Sequence, residues 1–313
     1  MVHPPDRVIA YLRYFPSESG SRERLGVKYQ KVYDLSARAK LLRKRWRQYL
    51  YRDPIFNRQF QAVPLEYVTK HYLPTDKLTQ LRRTKEPDNM QQAAIDLAEI
   101  LATEAKVPVS KIGVSGSLLV DLHRSKSDLD IVLYGSSTAR KCYRALQRLL
   151  TTRSEGFHPY TKKELYSLYV QRKQRASMPF EAFARHERPK LLQGKFKGTD
   201  YFIRCVREWD EWKEDYGDKR YCPVGTATVH ATIGDDTESI FTPCSYRLIN
   251  AQWSRRRPEP TRIVSLRGRF CEQAHKGDRV RARGTLEKVV NRRGAESRLI
   301  IGEHPRDYLM VVG

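Results

Sequence analysis

The sequence predicts an α+β protein that ends in a small β-barrel, and three patterns predict it. Between residues 88 and 220, segments with apolar residues at helical spacing alternate with short apolar runs rich in β-branched residues. After Tyr221 the helical pattern stops, and six strand-like runs succeed one another with turn signals between them. Charged residues make up 30% of the chain, yet 40% of residues are hydrophobic and 10% aromatic, so there is enough apolar material for packed cores. The expected division is a basic N-terminal region over residues 1–87, an α+β unit over 88–220 and a β-rich domain over 221–313.

Residues 1–87 mix aromatic with basic side chains, are punctuated by Pro54, Pro64, Pro74 and Pro87, and carry no fold signature. Within them Asp34–Trp46 reads as a helix, capped by Asp34 or Ser36, with Leu41, Leu42 and Trp46 on one side. Eight Arg/Lys and a single acid, Asp53, fall between Arg38 and Arg58. That stretch is either a solvated helix face or a surface that tracks phosphates.

From Asp88 the pattern sharpens. Asp88 or Asn89 can cap Gln91–Ala105, whose Ala94, Leu97, Ala98, Leu101 and Ala105 form one apolar stripe. Lys111–Ser115 and Leu129–Tyr134 read as buried strands, and Thr138–Leu150 as a helix. Thr161 and Glu164 form a capping box that opens a helix to about Arg175, and Phe180–Leu192 reads as helical despite Pro189. Tyr201–Val206 is a further buried strand. In the last part, Thr226–Ile233, Ser239–Ile249, Arg262–Phe270, Arg279–Val290, Arg298–Ile301 and Tyr308–Val312 are strand-like. Gly268–Gly302 reads as a meander with Arg279, Arg281 and Arg283 outward, which suits an OB-like barrel.

Lys+Arg number 59 and Asp+Glu 36, a formal charge of +23, which predicts a polyanionic partner. Uninterrupted apolar runs, such as Ile131–Tyr134, do not exceed five residues, far short of the ~20 a membrane-spanning helix needs. No basic leader followed by an apolar stretch opens the chain, so a cytoplasmic protein with no membrane partner is expected. The five cysteines include no CxxC pair, which argues against a disulfide scaffold or a structural zinc site.

Chemistry concentrates in Gly113–Gly135. A strand ends in Gly116-Ser117, a short helix comes next, and a second strand opens with Asp128-Leu129-Asp130. Side chains alternate along a strand, so Asp128 and Asp130 share one face while Leu129 and Ile131 enter the core. Two like charges that close repel unless a cation lies between them, and a hard divalent ion is the natural occupant. Gly116 leaves the backbone bare for a phosphate to approach, and Ser117 adds a hydroxyl and amides to hold it.

Gly116-Ser117, ten intervening residues and Asp128-Leu129-Asp130-Ile131 resemble the signature of the DNA polymerase β-like nucleotidyltransferase superfamily. The whole chain is similar to archaeal proteins described only as predicted nucleotidyltransferases. The resemblance implies a nucleotidyltransferase-type mixed sheet flanked by helices, and transfer of a nucleoside monophosphate from an NTP to a hydroxyl with release of pyrophosphate. It implies Mg²⁺ or Mn²⁺ held by Asp128 and Asp130, a triphosphate positioned by Gly116 and Ser117, and a third carboxylate on a later strand that serves both metal binding and catalysis. Asp200, entering the next buried strand, is the candidate for that third acid, with Asp235, Asp236 and Glu208 as competitors. The family pattern more often sets this acid between apolar residues, whereas Asp200 comes after Thr199.

A triphosphate needs cations. Lys126 and Arg124 precede the aspartates and are candidate contacts or ordinary solvated charges. Arg204 on a buried strand calls for an anionic partner, either substrate phosphate or Asp200, and Lys195 and Lys197 beside it carry the same ambiguity. His123 reads as a helix-surface residue. The expected function is a metal-dependent nucleotidyltransferase acting on nucleic acid, RNA above all. The alternatives are a transferase whose acceptor is a protein or a small molecule, and a nucleic-acid-binding scaffold without catalysis.

Overall fold

A computed structural model describes residues 2–172, 178–253 and 259–312. The N-terminal region, which carried no fold signature, forms two small antiparallel sheets. The strands are β1 (Arg7–Ile9), β2 (Tyr14–Pro16), β3 (Arg22–Arg24), β4 (Val27–Lys31), β5 (Leu50–Asp53) and β6 (Arg58–Pro64), in the orders β1-β6-β5 and β2-β4-β3. Between β4 and β5 lies α1 (Leu35–Arg45), where the sequence places a helix; Asp34 caps it by accepting from the Ala37 N–H at 2.8 Å. Leu42 is buried, and Trp46 meets Phe15 edge to face at 6.0 Å. The basic stretch divides. Arg38 is buried and donates to the Val32 and Tyr33 carbonyls, Arg58 pairs with Glu287 and Glu303, and Lys40, Arg43, Lys44, Arg45, Arg47 and Arg52 are exposed.

The central unit comprises α2 (Pro74–Arg82), α3 (Asn89–Ala105), β7 (Ile112–Val114), α4 (Gly116–Leu119), β8 (Leu129–Tyr134), α5 (Ser136–Thr152), β9 (Phe157–His158), α6 (Lys162–Arg172), α7 (Phe180–Glu187), β10 (Gln193–Phe196) and β11 (Thr199–Val206). Its sheet runs β7-β8-β11-β10-β9, with β8 and β11 parallel and the other neighbours antiparallel. Asp88 caps α3 in a capping box with Gln91. The odd-numbered residues Leu129, Ile131, Leu133, Tyr201, Ile203 and Cys205 face α3 and α5 and are buried with Leu97, Leu101, Leu146 and Leu149. Burying each such leucine contributes roughly 1.5–3 kcal/mol. The even-numbered face, with Asp130, Phe202 and Arg204, is left for other work. Leu78 and Leu81 of α2 join this core, although their segment lies before residue 88.

Several boundaries differ from expectation. The helix expected over Phe180–Leu192 ends at Glu187: Arg188 still has helical backbone, at φ −61° and ψ −43°, but Pro189 has no N–H with which to continue the ladder. The chain then enters β10, which Gly194 and Lys195 conceal from any apolar pattern. The strand expected over Lys111–Ser115 is shortened to β7, its start taken by a tight turn at Val109–Lys111. Thr161 and Glu164 form the expected capping box of α6, and the expected end near Arg175 lies outside the described residues.

The last part contains β12 (Lys219–Asp235), β13 (Cys244–Gln252), β14 (Arg262–Ser265), β15 (Arg279–Asn291), β16 (Gly294–Ile301) and β17 (Tyr308–Val311). The order β12-β13-β14-β16-β15 closes on itself through a second pairing between β12 and β15, with β14 and β16 parallel. The expected strand Arg262–Phe270 stops at Ser265 and gives way to a turn at Gly268–Phe270, and the strand expected from Ser239 starts at Cys244. Only β15 and β16 form the expected meander, since β16 then turns to β14.

Buried polar groups fasten this closed sheet to the central unit. Lys190 donates from Nζ to Glu187 Oε1 at 2.8 Å, the Arg269 carbonyl at 2.7 Å and Gln273 Oε1 at 2.9 Å. Glu272 accepts from the Leu191 and Leu192 N–H groups at 2.7 and 3.1 Å. Lys190→Ala leaves the Arg269 carbonyl and Gln273 Oε1 without their donor, while Glu187 keeps Arg172 at 3.1 Å, and urea denaturation is expected to show a loss of about 1–3 kcal/mol. Lys197→Ala, which removes an exposed pair with Asp96, is expected to cost under about 1 kcal/mol.

Candidate active site

β8 delivers the two aspartates where the alternation of its residues places them. Asp128 is exposed just before the strand, and Asp130 is half-buried on the even-numbered face. Burial first, and then the charge of Asp128, push the Asp130 carboxyl up to about 6, while Arg204, Lys31 and Arg13 pull it back. Those cations come from β11, β4 and the segment before β2, so two parts of the chain converge on one carboxylate.

Gly116 and Asp130 are in contact. Gly116 adopts φ +63°, and a Cβ built on it would lie 1.9 Å from Asp130 Oδ2. No other residue fits both the conformation and the space. Ser115 secures the approach by donating its N–H to the Asp130 carbonyl at 2.7 Å. Ser117 is buried, and its Oγ has no hydrogen-bond partner among the described residues, an orphaned polar atom beside the glycine turn.

The remaining candidates fall in several places. Lys126 is exposed in the turn before Asp128 and forms no ion pair among the described residues; Arg124 is exposed beside it, its N–H bonded to Ser127 Oγ at 2.9 Å. Arg204 is exposed on the same sheet face as Asp130, and Asp200 is not its partner. Asp200 stands in β11 one residue before the rung Tyr201↔Leu129, which puts it beside Asp128 in the ladder. Its carboxylate is nevertheless bonded to Lys195 at 2.9 Å and to Tyr160. Among the described residues no group of three or more His, Cys, Asp or Glu side chains is assembled for a metal ion. Of the competitors, Glu208 pairs with Lys111 at 2.7 Å beyond the far end of β11, Asp235 caps the Thr237 N–H, and Asp236 pairs with His275 at 3.2 Å. None of these shares the sheet face of Asp130. Lys197 is taken by Asp96, and His123 Nε2 lies 2.7 Å from Asp88 Oδ2, the cap of α3.

Lys31 and Arg13 escape sequence reasoning. Their alternation with Tyr14, Tyr29 and Tyr33 is a basic–aromatic pattern visible in the chain, but nothing in it connects them to residues a hundred positions later.

The donor set suits a hard divalent cation: two carboxylates, one of them raised by burial and by the charge of the other, next to a glycine turn and a hydroxyl unsatisfied among the described residues. The folded Asp130 retains its proton up to about pH 6 while the unfolded group loses it near 3.8, so this contribution to stability is complete below pH 4 and lost as pH rises through 6. In chelator at pH 8, Asp130→Asn is therefore expected to be more stable than wild type by about 1–2 kcal/mol, after allowance for its partial exposure, with the difference fading towards pH 4. Denaturation curves at both pH values check it. Gly116→Ala is expected to cost more than Gly198→Ala, where φ is +81° and nothing lies within 4 Å of the added carbon. The second change isolates the backbone cost of roughly 1–3 kcal/mol, and the excess at Gly116 measures the collision with Asp130.

Among the described residues no helix is long and apolar enough to cross a membrane. No protein-family model matches the chain. It is 28% identical over 311 residues to a protein of Methanocaldococcus jannaschii described only as uncharacterized, an alignment covering 96% of this chain and 89% of that one. No solved structure matches it.

Proposed function

We propose that this protein is a metal-dependent nucleotidyltransferase that moves a nucleoside monophosphate from an NTP to a hydroxyl, with a nucleic acid, RNA above all, as acceptor. The observation that carries this function is the contact of Gly116 with the Asp130 carboxylate, which makes the glycine–serine turn and the paired aspartates a single site. Asp128 and Asp130 are the residues that would hold Mg²⁺ or Mn²⁺, and the ion supplies Lewis-acid stabilisation of charge on the transferring phosphoryl group. Gly116 gives its side-chain space to the Asp130 carboxylate, so the triphosphate would meet the turn at its backbone amides and at the Ser117 hydroxyl, which is unpartnered among the described residues. Arg204 and Lys126 neutralise phosphate charge from two sides. Asp200 completes the carboxylate set once it is released from Lys195, and its place beside Asp128 in the ladder supports that role.

The excess of cations suits a polyanionic acceptor, and the closed order β12-β13-β14-β16-β15, with its one parallel pair, supports an OB-like barrel with Arg279 and Arg281 exposed on its outer surface. A nucleic-acid-binding scaffold is the competing function, favoured by the ion pair that occupies Asp200.

The two separate on incorporation of each α-³²P-labelled NTP, with Mg²⁺ or Mn²⁺, into total RNA, tRNA, single-stranded DNA and the protein itself. Label is expected in RNA and is expected to fall by about a hundredfold or more in Asp128→Ala/Asp130→Ala, given that even the outer supports of a metal site are worth 10–100-fold. Absence of label everywhere, with salt-sensitive RNA binding intact, leaves the scaffold. Asp200→Ala reducing transfer as strongly as the double variant identifies the third carboxylate.

A further inference from the structure

The three-stranded sheet β2-β4-β3 has two unlike faces. Its register, Tyr14↔Lys31, Pro16↔Tyr29 and Arg22↔Tyr29, Arg24↔Val27, puts Tyr14, Tyr29, Lys31, Arg22 and Arg24 on one face. Phe15, Lys28 and Glu23 lie on the other, where Phe15 packs against Trp46. The first face carries two tyrosines, three cations and no carboxylate, and the cations lie over rings: Arg22 is 5.6 Å and Lys31 5.8 Å from the centre of the Tyr14 ring. Arg24 lies 5.2 Å from the ring of Tyr72.

This face looks towards the candidate active site. Arg22 donates to the Leu122 carbonyl and Arg24 approaches Asp121 at 4.0 Å, both in the segment that leads into Asp128. Lys31 and Arg13 form no ion pair among the described residues, and their charges reach Asp130. From Lys31 through Tyr29 to Val27 the row runs roughly 13 Å along the strand, longer than one nucleobase. A row of rings flanked by cations, with no acid on its face, complements a strand of unpaired bases with a phosphate on each: rings stack on any base, and cations track the backbone.

We propose that this face of the N-terminal sheet is the bed of a single-stranded nucleic acid and leads its end to Asp128 and Asp130. Tyr14 and Tyr29 stack bases, and Lys31 and Arg13 hold phosphates next to the carboxylates. The bed stands on the register and contacts of the sheet; its role as acceptor track rests on the transferase function proposed above.

The test is fluorescence anisotropy of a fluorescein-labelled oligouridylate of 20 nucleotides with the full chain, checked by melting curves for each variant. Tyr14→Ala and Lys31→Glu are each expected to weaken binding by about tenfold or more, on the scale of one lost stacked base. Lys28→Glu, the same charge change on the opposite face, is expected to weaken it by less than about threefold, the share of one long-range charge. Equal losses from Lys28→Glu and Lys31→Glu overturn the bed, as does full competition by a duplex of the same length or by a free NTP. Photocrosslinking of a 4-thiouridine oligonucleotide to wild type gives a result independent of folding: adducts on the peptides of Tyr14 or Tyr29 support the bed, and adducts elsewhere alone overturn it. Binding confined to this face without nucleotidyl transfer retains the bed and removes the transferase, whereas transfer to RNA undiminished by Lys31→Glu does the reverse.

Discussion

Asp130 is a carboxylate partly withdrawn from water with a second carboxylate, Asp128, beside it, and the repulsion between them organises the surroundings. Arg204 approaches from the neighbouring strand, while Lys31 and Arg13 approach from the N-terminal sheet. None of the three closes a direct ion pair with Asp130 among the described residues, so the negative charge is moderated without being used up. The proposed transfer, with its cation and polyphosphate, would need that balance. Were Asp130 locked to an arginine, the carboxylate would be spent; were the cations absent, it would hold its proton near neutrality. Gly116 is the steric half of the same constraint, since a side chain there would occupy the space the carboxylate needs.

Such a site works only if the parts that supply its charges stay in place, and buried polar ties keep them there. Lys190, Glu187 and Glu272 hold the closed sheet to the central unit, and Arg58, Glu287 and Arg298 hold the β5–β6 hairpin to that closed sheet. Tyr221 adds a ring stacked on Phe56 at 4.8 Å. Buried ion pairs of this kind add little net stability, because desolvation cancels most of their attraction. Their directionality is worth more: a fully satisfied Lys190 fits only one arrangement of α7 and the Arg269–Gln273 turn.

The sequence revealed whatever rests on local periodicity. Leu129–Tyr134 was legible as a strand and Gln91–Ala105 as a capped helix, which the structure starts at Asn89, because three or more turns or residues in register repeat a pattern of their own. The strands of the N-terminal sheets are mostly three to five residues long, too short to repeat anything, so that region carried no signature. Strand Gln193–Phe196 was hidden for a different reason: Gly194 and Lys195 interrupt its apolar pattern, and its partners are what make it a strand.

The same distinction divides the site. Gly116, Ser117, Asp128 and Asp130 lie on consecutive elements, so their spacing and the alternation of β8 were enough to bring them together from sequence alone. Asp200 was legible as an acid on the next strand, but its pairing with Lys195 depends on the β10–β11 register, which the sequence does not print. Lys31 and Arg13 reach Asp130 only because the N-terminal sheet folds back onto the segment before Asp128, and the closed β12–β15 sheet likewise depends on pairing residues some sixty positions apart. Side-chain periodicity is a local property and survives in the chain as written. Charge convergence and sheet closure are set by which distant surfaces bury each other, and only the tertiary structure decides that.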